Sequence, residues 1–180
     1  MKPALFIDRD GTINVNCPYC RNASEIVIYD DVYGPISALC KDFYIIIVTN
    51  QSGIARGYFT VDDLEKMHVK IKKLIKAHGG RVDAIYYCPD MPDSGSPCRK
   101  PNTGMMDSAM RDFEIDKERS FVIGYDEKDI EMARRTGIKS ILLDREGKNG
   151  AKGINAEYTA KDFNDVLEII KMIDGCLIGL

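Results

Sequence analysis

Long apolar runs are missing from this 180-residue chain. No stretch approaches the roughly 20 residues that a helix needs to cross a bilayer, which sets aside a membrane-spanning function. A secretory signal is missing too, because the opening Met1-Lys2-Pro3-Ala4-Leu5-Phe6-Ile7-Asp8 meets an acidic residue too early, so a cytoplasmic protein is expected. There is no basic excess: 25 lysines and arginines stand against 28 aspartates and glutamates, a net charge of -3, which argues against a nucleic-acid partner. Lys66, Lys70, Lys72, Lys73 and Lys76 alternate with Leu64, Met67, Ile71 and Ile75 at helical spacing and predict the solvated side of an amphipathic helix. Histidine is scarce, and His68 and His78 fall on that helix without ligand spacing, so both are expected at its solvated surface. Internal repeats, low-complexity stretches and long linkers are also absent. One domain over residues 1–180 is therefore expected, long enough to bury a substantial core.

What is present is an alternation of patterns. Pro3–Asp8, Phe43–Thr49, Val82–Tyr87, Ser120–Gly124 and Lys139–Asp144 are short apolar runs that predict strands. Asp31–Lys41, Val61–His78 with Thr60 as N-cap, Thr103–Phe113, Glu127–Thr136 and Asp162–Ile173 predict helices. Strands that are apolar throughout and alternate with helices predict an α/β fold, a three-layer doubly wound parallel sheet. In such sheets ligands bind beyond the carboxyl ends of the strands. Polar, charged and glycine residues gather at four of these ends: Asp8-Arg9-Asp10-Gly11-Thr12, Thr49-Asn50-Gln51-Ser52-Gly53, Cys88 through Arg99-Lys100, and Gly124-Tyr125-Asp126-Glu127-Lys128-Asp129.

Two aspartates two residues apart repel one another, and a bound Mg²⁺, which favours hard oxygen ligands, removes that cost. Asp8 can offer an oxygen to both a metal and a phosphorus atom, and Asp10 can reach a leaving-group oxygen. Gly11 allows the backbone to turn there. A solvated Asp-Arg-Asp-Gly turn is the plain alternative, and the apolar strand before it counts against that. A hydroxyl at Thr49 with neighbouring N–H groups makes a cradle for an anion, and a lysine at Lys100 balances carboxylate charge.

This segment resembles the haloacid dehalogenase superfamily, whose first motif is Asp-x-Asp-x-Thr after the first strand. Thr49-Asn50-Gln51-Ser52-Gly53-Ile54-Ala55-Arg56-Gly57 and Arg99-Lys100-Pro101-x-x-Gly104-Met105 are similar to its branch of heptose bisphosphate and histidinol-phosphate phosphatases. The resemblance covers essentially the whole chain. It implies a Rossmann-like domain with a minimal cap and a phosphomonoester hydrolase with Mg²⁺ as cofactor. Asp8 is then the nucleophile that forms an aspartyl-phosphate, and Asp10 the acid and later the base. Thr49 and Lys100 hold the transferring group, and Arg99, Asn50, Gln51 and Ser52 meet the substrate. A monomer is implied as well.

Two features depart from the pattern. The fourth motif usually reads Gly-Asp-x-x-x-Asp, but Tyr125 follows Gly124 here. Asp126, after a one-residue shift, is the expected magnesium ligand and Asp129 the fallback; the alternative is that both merely begin a helix. Relatives in this branch carry Cys-x-His and Cys-x-Cys before Arg-Lys-Pro as zinc ligands, whereas this chain has Cys88-Pro89-Asp90 and Ser96-Pro97-Cys98. A Zn²⁺ site of Cys17, Cys20, Cys88 and Cys98, with Asp90 able to join, stands against free thiols or a disulfide, and the thiol or disulfide reading is preferred. Cys40 is expected as a core thiol, and Cys176 as structural or disordered.

No insertion is long enough for a large cap, and only Val15–Tyr29 and Asp90–Pro97 can screen the site. That openness suits a phosphorylated sugar or another small phosphoester. The resemblance puts a heptose bisphosphate first and histidinol phosphate second. A nucleic-acid 3′-phosphate end, a phospho-ligand-binding relative without turnover, and a redox protein built on Cys17-x-x-Cys20 are the competing readings.

Overall fold

Alternate residues of the first strand, Lys2–Ile7 (β1), enter two different apolar clusters: Leu5 and Ile7 one, Ala4 and Phe6 the other. A strand buried on both faces belongs inside a covered parallel sheet. In a computed structural model of the protein, which describes residues 1–145, 147 and 153–175, β1 lies at the centre of a six-stranded parallel sheet. The other strands are Tyr44–Asn50 (β2), Ala84–Cys88 (β3), Ile115–Gly124 (β4), Lys139–Leu143 (β5) and Tyr158–Ala160 (β6). The helices are Asp30–Leu39 (α1), Val61–Ala77 (α2), Gly104–Asp112 (α3), Glu127–Thr136 (α4) and Phe163–Asp174 (α5).

The strand order is β3-β2-β1-β4-β5-β6. Ile36 of α1, Met67 and Ile71 of α2 and Val166 of α5 pack on one face of the sheet, and Met106 and Ala109 of α3 with Met132 of α4 on the other. The three-layer doubly wound expectation therefore holds. The order reverses between β1 and β4, so a crevice opens beyond their carboxyl ends. The backbone there stays on the sheet, since the N–H of Asp8 donates to Ile123 O at 2.9 Å.

The segment from β1 to α1 and the segment from β3 to α3 carry only short 3₁₀ turns, Ala23–Glu25 and Pro92–Ser94. No separate cap is built from the described residues. No helix among them is long and apolar enough to cross a membrane.

The expected elements all form, with ends displaced by a few residues. β4 begins earlier than expected, at Ile115, because its first residues are charged and carry no apolar signal. β6 was not expected: three residues have no readable period, and pairing with β5 recruits them. Cys40 is a buried thiol, and Cys176 lies outside the described residues.

His68 corrects the sequence reading. It is 2% exposed and packs near Tyr87, on the side of α2 that faces the sheet. His78 is exposed, with Nδ1 2.8 Å from Leu74 O and its ring stacked on Tyr33. Burial, with the charge of Arg9 adding to it, pushes the His68 imidazole from 6.5 down to about 3. The unfolded chain takes up a proton that the folded chain refuses. Stability is therefore expected to fall as the pH drops below 6.5, by at most about 1.4 kcal/mol per pH unit. His68→Leu should flatten that fall, read as a shallower dependence of Tm on pH than in the parent protein.

Candidate active site

Asp8 follows β1 directly and is 6% exposed. Its Oδ1 accepts from Lys100 Nζ at 2.5 Å and its Oδ2 from Thr12 Oγ1 at 3.3 Å. Lys100, 4% exposed, also donates to Asp129 Oδ1 at 2.7 Å and to Val48 O at 3.1 Å. All three ammonium protons are thus placed. The backbone of Lys100 is held by Asn50, whose Oδ1 accepts from Lys100 N at 3.1 Å while its Nδ2 donates to Lys100 O at 3.3 Å. The end of β2 thereby fastens the loop that delivers the lysine.

Asp10 is gripped from several sides. Arg9 forks onto it, Nε to Oδ2 and Nη2 to Oδ1 at 3.0 Å each, and Asn14 Nδ2 donates to Oδ1 at 3.0 Å. Gln51 Nε2 donates to Asp10 Oδ2 and to Thr49 Oγ1, both at 2.8 Å, and so ties the two together. Asn50 and Gln51, expected to meet substrate, have side chains committed to positioning Lys100, Asp10 and Thr49. Arg9 and Asn14 were missed as partners of Asp10. Arginine is rarely buried and Arg9 is 1% exposed, so its place in the motif was the only available signal.

Burial pushes the Asp8 carboxyl up to about 7; Lys100 pulls the other way, while Asp129 and Asp10 add to the rise. Burial works against the charge of Lys100, yet Asp129 and Asp8 hold its proton above the ordinary lysine range. Asp8, Asp10, Thr49 and Lys100 line one cavity of about 140 Å³, together with Asn50, Arg99, Asp126 and Asp129.

The acidic residues after β4 divide their work. Asp129 is 1% exposed, gives one oxygen to Lys100, and accepts from Asp126 N with the other at 3.2 Å. Its carboxylate lies against Gly124, where an added Cβ would stand 2.2 Å from Oδ2. Gly124→Ala should push Asp129 off Lys100, destabilise the protein by about 2–4 kcal/mol and lower activity with it; chemical denaturation and phosphate release measure the two. Asp126 caps α4, with Oδ1 accepting from Lys128 N at 2.9 Å, and stays partly exposed. Asp8, Asp10 and Asp126 bring hard carboxylate donors to one cavity, a set that suits Mg²⁺. Tyr125 lies over Gly11, whose φ is +81° and where a Cβ would meet the ring at 2.9 Å. Burial and the nearby charge of Asp8 push its phenol up to about 12.

A second cavity of about 230 Å³ opens beside Asp10, between Cys17-Pro18-Tyr19 and Gln51-Ser52-Gly53. It shares Asp10 and Asn50 with the first. Arg99, which lines the first cavity, donates through Nη1 to Asp90 O at 3.0 Å. Burial and the neighbouring charge of Arg56 lower the proton affinity of Arg99. Sequence reasoning missed Arg56 and Tyr19; the arginine lay inside the quoted Thr49–Gly57 motif without an evident task.

The joint zinc site is not formed. Cys17–Cys20 and Cys88–Cys98 are two separate disulfides, each with Cα atoms 5.5 Å apart, a spacing that suits a bond. Asp90 Oδ2 lies 3.8 and 3.6 Å from the sulfurs of Cys88 and Cys98. Sulfur in a disulfide has no thiolate to offer a metal, so the residues present do not fit Zn²⁺.

Residues 97–168 match the HAD-hydrolase-like family. A protein of Thermoplasma volcanium named a probable D-glycero-D-manno-heptose-1,7-bisphosphate 7-phosphatase is 45% identical over 77% of this chain and 97% of that protein. The D-glycero-beta-D-manno-heptose-1,7-bisphosphate 7-phosphatase of Pasteurella multocida is 33% identical over 95% of this chain and 98% of its own length. The crystal structure of D,D-heptose 1,7-bisphosphate phosphatase from B. bronchiseptica, complexed with magnesium and phosphate, superposes with a TM-score of 0.87 at 30% identity, covering 96% of this chain and 99% of that one. With the motif residues assembled on that fold and relatives matched over nearly their whole length, the chain belongs to the haloacid dehalogenase superfamily of hydrolases, in its heptose bisphosphate phosphatase family.

Proposed function

We propose that this protein removes the 7-phosphate from D-glycero-D-manno-heptose 1,7-bisphosphate through an aspartyl-phosphate on Asp8, with Mg²⁺ as cofactor. The observation that carries the chemistry is Asp8 held 2.5 Å from the buried Lys100 ammonium, in one cavity with Asp10 and Thr49. In the first displacement an Asp8 oxygen bonds phosphorus and the ester P–O bond breaks. Asp10 gives its proton to the departing alkoxide. In the second, Asp10 takes a proton from water as that water attacks phosphorus, the bond to Asp8 breaks, and inorganic phosphate leaves. Lys100 and the Thr49 hydroxyl spread the charge of the transferring group, and Gln51 keeps Asp10 and Thr49 in register. Asp8, Asp10 and Asp126 would hold Mg²⁺, whose charge would keep Asp8 ionised and neutralise phosphoryl oxygens.

The leaving group follows from the second cavity. Arg56 and Arg99 make no ion pair among the described residues, and the charge of Arg56 raises the cost of the charge on Arg99. A substrate whose leaving group carries another phosphate relieves both. Histidinol phosphate, whose leaving group is cationic, does not. Phosphate release from heptose 1,7-bisphosphate, histidinol phosphate and a 3′-phosphorylated oligonucleotide, each with Mg²⁺ and after chelation, tests the reading. The bisphosphate should have the highest kcat/KM, and only with the metal. Release that ignores chelation, or a preference for histidinol phosphate, would overturn it.

A further inference from the structure

The connection between β1 and α1 carries a feature with no part yet in the chemistry. The Cys17–Cys20 bond leaves Pro18 and Tyr19 as a two-residue loop, and Tyr19 takes φ +57°, a left-handed conformation costly for a bulky side chain. The surroundings hold it there. Val15 N–H donates to Val27 O at 2.9 Å, the N–H groups of Arg21 and Asn22 both donate to Glu25 Oε1 at 3.1 Å, and Cys20 is 1% exposed.

Tyr19 is consequently fixed in direction although 45% exposed. Its ring meets Tyr58 edge-on at 4.9 Å, and the Arg56 guanidinium lies over it at 5.7 Å. Arg56 is itself anchored by its backbone N–H, 3.0 Å from Ser52 O, while its buried Nε has no partner. Tyr19 and Ser52 both line the cavity beside Asp10. Asp10 is the proposed proton donor to the leaving oxygen, so the group attached to that oxygen occupies that cavity.

We infer that Tyr19 is a specificity-determining residue, closing the leaving-group cavity with its ring and holding Arg56 over that ring for the second anionic group of a bisphosphate substrate. The inference rests on the phosphatase reading above. The aromatic face is the part that matters, since it supplies both the wall and the seat for a guanidinium, a contact that strengthens as water is excluded.

Steady-state kinetics with heptose 1,7-bisphosphate and with p-nitrophenyl phosphate, which lacks a second anion, test it in four proteins: Tyr19→Ala, Tyr19→Phe, Arg56→Ala and the double alanine variant. Tyr19→Ala should raise KM for the bisphosphate about tenfold with kcat unchanged, the size expected when a desolvated cation–ring contact is lost. Tyr19→Phe should behave as the parent, and the double variant should be no worse than Arg56→Ala alone. On p-nitrophenyl phosphate, which has no second anion to lose, Tyr19→Ala, Arg56→Ala and the double variant should each lose less than they lose on the bisphosphate. An unchanged KM for the bisphosphate, an equal loss on both substrates, additive effects in the double variant, or a parent active only on p-nitrophenyl phosphate would each overturn the inference. A parent inactive on both substrates would instead remove the phosphatase reading.

Discussion

Asp8→Asn is expected to abolish phosphate release, by at least about 10⁴-fold in kcat, while the protein stays folded. An asparagine oxygen is uncharged and cannot form the acyl phosphate on which the second displacement depends. The fold should tolerate the change because the cation above Asp8 keeps its other partners, Asp129 at 2.7 Å and Val48 O at 3.1 Å. The sign of the effect on stability follows from burial. With the Asp8 carboxyl pushed from 3.8 up to about 7, the folded protein keeps a proton over a range where the unfolded chain has released it. The carboxylate therefore costs stability as the pH rises through that range. The amide carries no such cost, so in metal-free buffer Tm at neutral pH should equal or exceed that of the parent. Phosphate release and calorimetry on the two proteins check both halves. Activity within tenfold of the parent would remove Asp8 as nucleophile.

Lys100→Met is expected to damage stability and catalysis together. It leaves Asp8 and Asp129 buried, of like charge and without their shared cation, a loss of about 3–5 kcal/mol for an orphaned buried partner. Phosphate release should fall by at least about 10²–10³-fold, the usual effect of removing a group aimed at developing charge. The deficit in Tm should be largest above neutral pH and shrink on acidification, because protonating either carboxylate relieves the repulsion. Lys100→Arg should rescue little. Three donors on one nitrogen meet Asp8, Asp129 and Val48 O, and a planar guanidinium cannot reproduce that tripod. A deficit independent of pH would show that the lysine is held for packing rather than for charge.

Both results depend on residues that were visible from the chain alone, whereas several of their partners were not. Asp8, Thr49 and Lys100 could be named because each follows an apolar run or sits in a recognisable motif at a strand end. Asn50 and Gln51 were named too, but as groups for the substrate. Their amides turn inward to hold Lys100, Asp10 and Thr49, a choice set by which loops face each other across the sheet. Asp126 was the expected metal ligand and Asp129 its fallback, and no local signal gave the two different surroundings. They separate because α4 starts at Glu127 and its first turn carries Asp129 beneath Gly124 and onto Lys100, leaving Asp126 at the partly exposed cap.

The cysteines show the same limit from the other side. Four candidates with soft sulfur permitted one tetrahedral centre, and chemistry alone could not divide them. The Cys17–Cys20 loop and the Cys88–Cys98 loop instead close on themselves. His68 was misplaced for a related reason: its neighbours Lys66 and Lys70 are solvated, and a helix inclined by a few tens of degrees decides whether the residue between them faces water or β3.

By itself the sequence determined the alternation of strands and helices, the parallel character of the sheet and the strand ends that carry chemistry. Those properties are local: burial on two faces demands continuous apolar runs, and a glycine or a carboxylate at a strand end needs no distant partner to be recognised. The tertiary structure alone decided which groups meet. Lys100 lies 92 positions from Asp8 and 29 from Asp129, and it reaches both only because the strand order reverses beside β1 and brings those ends to one crevice.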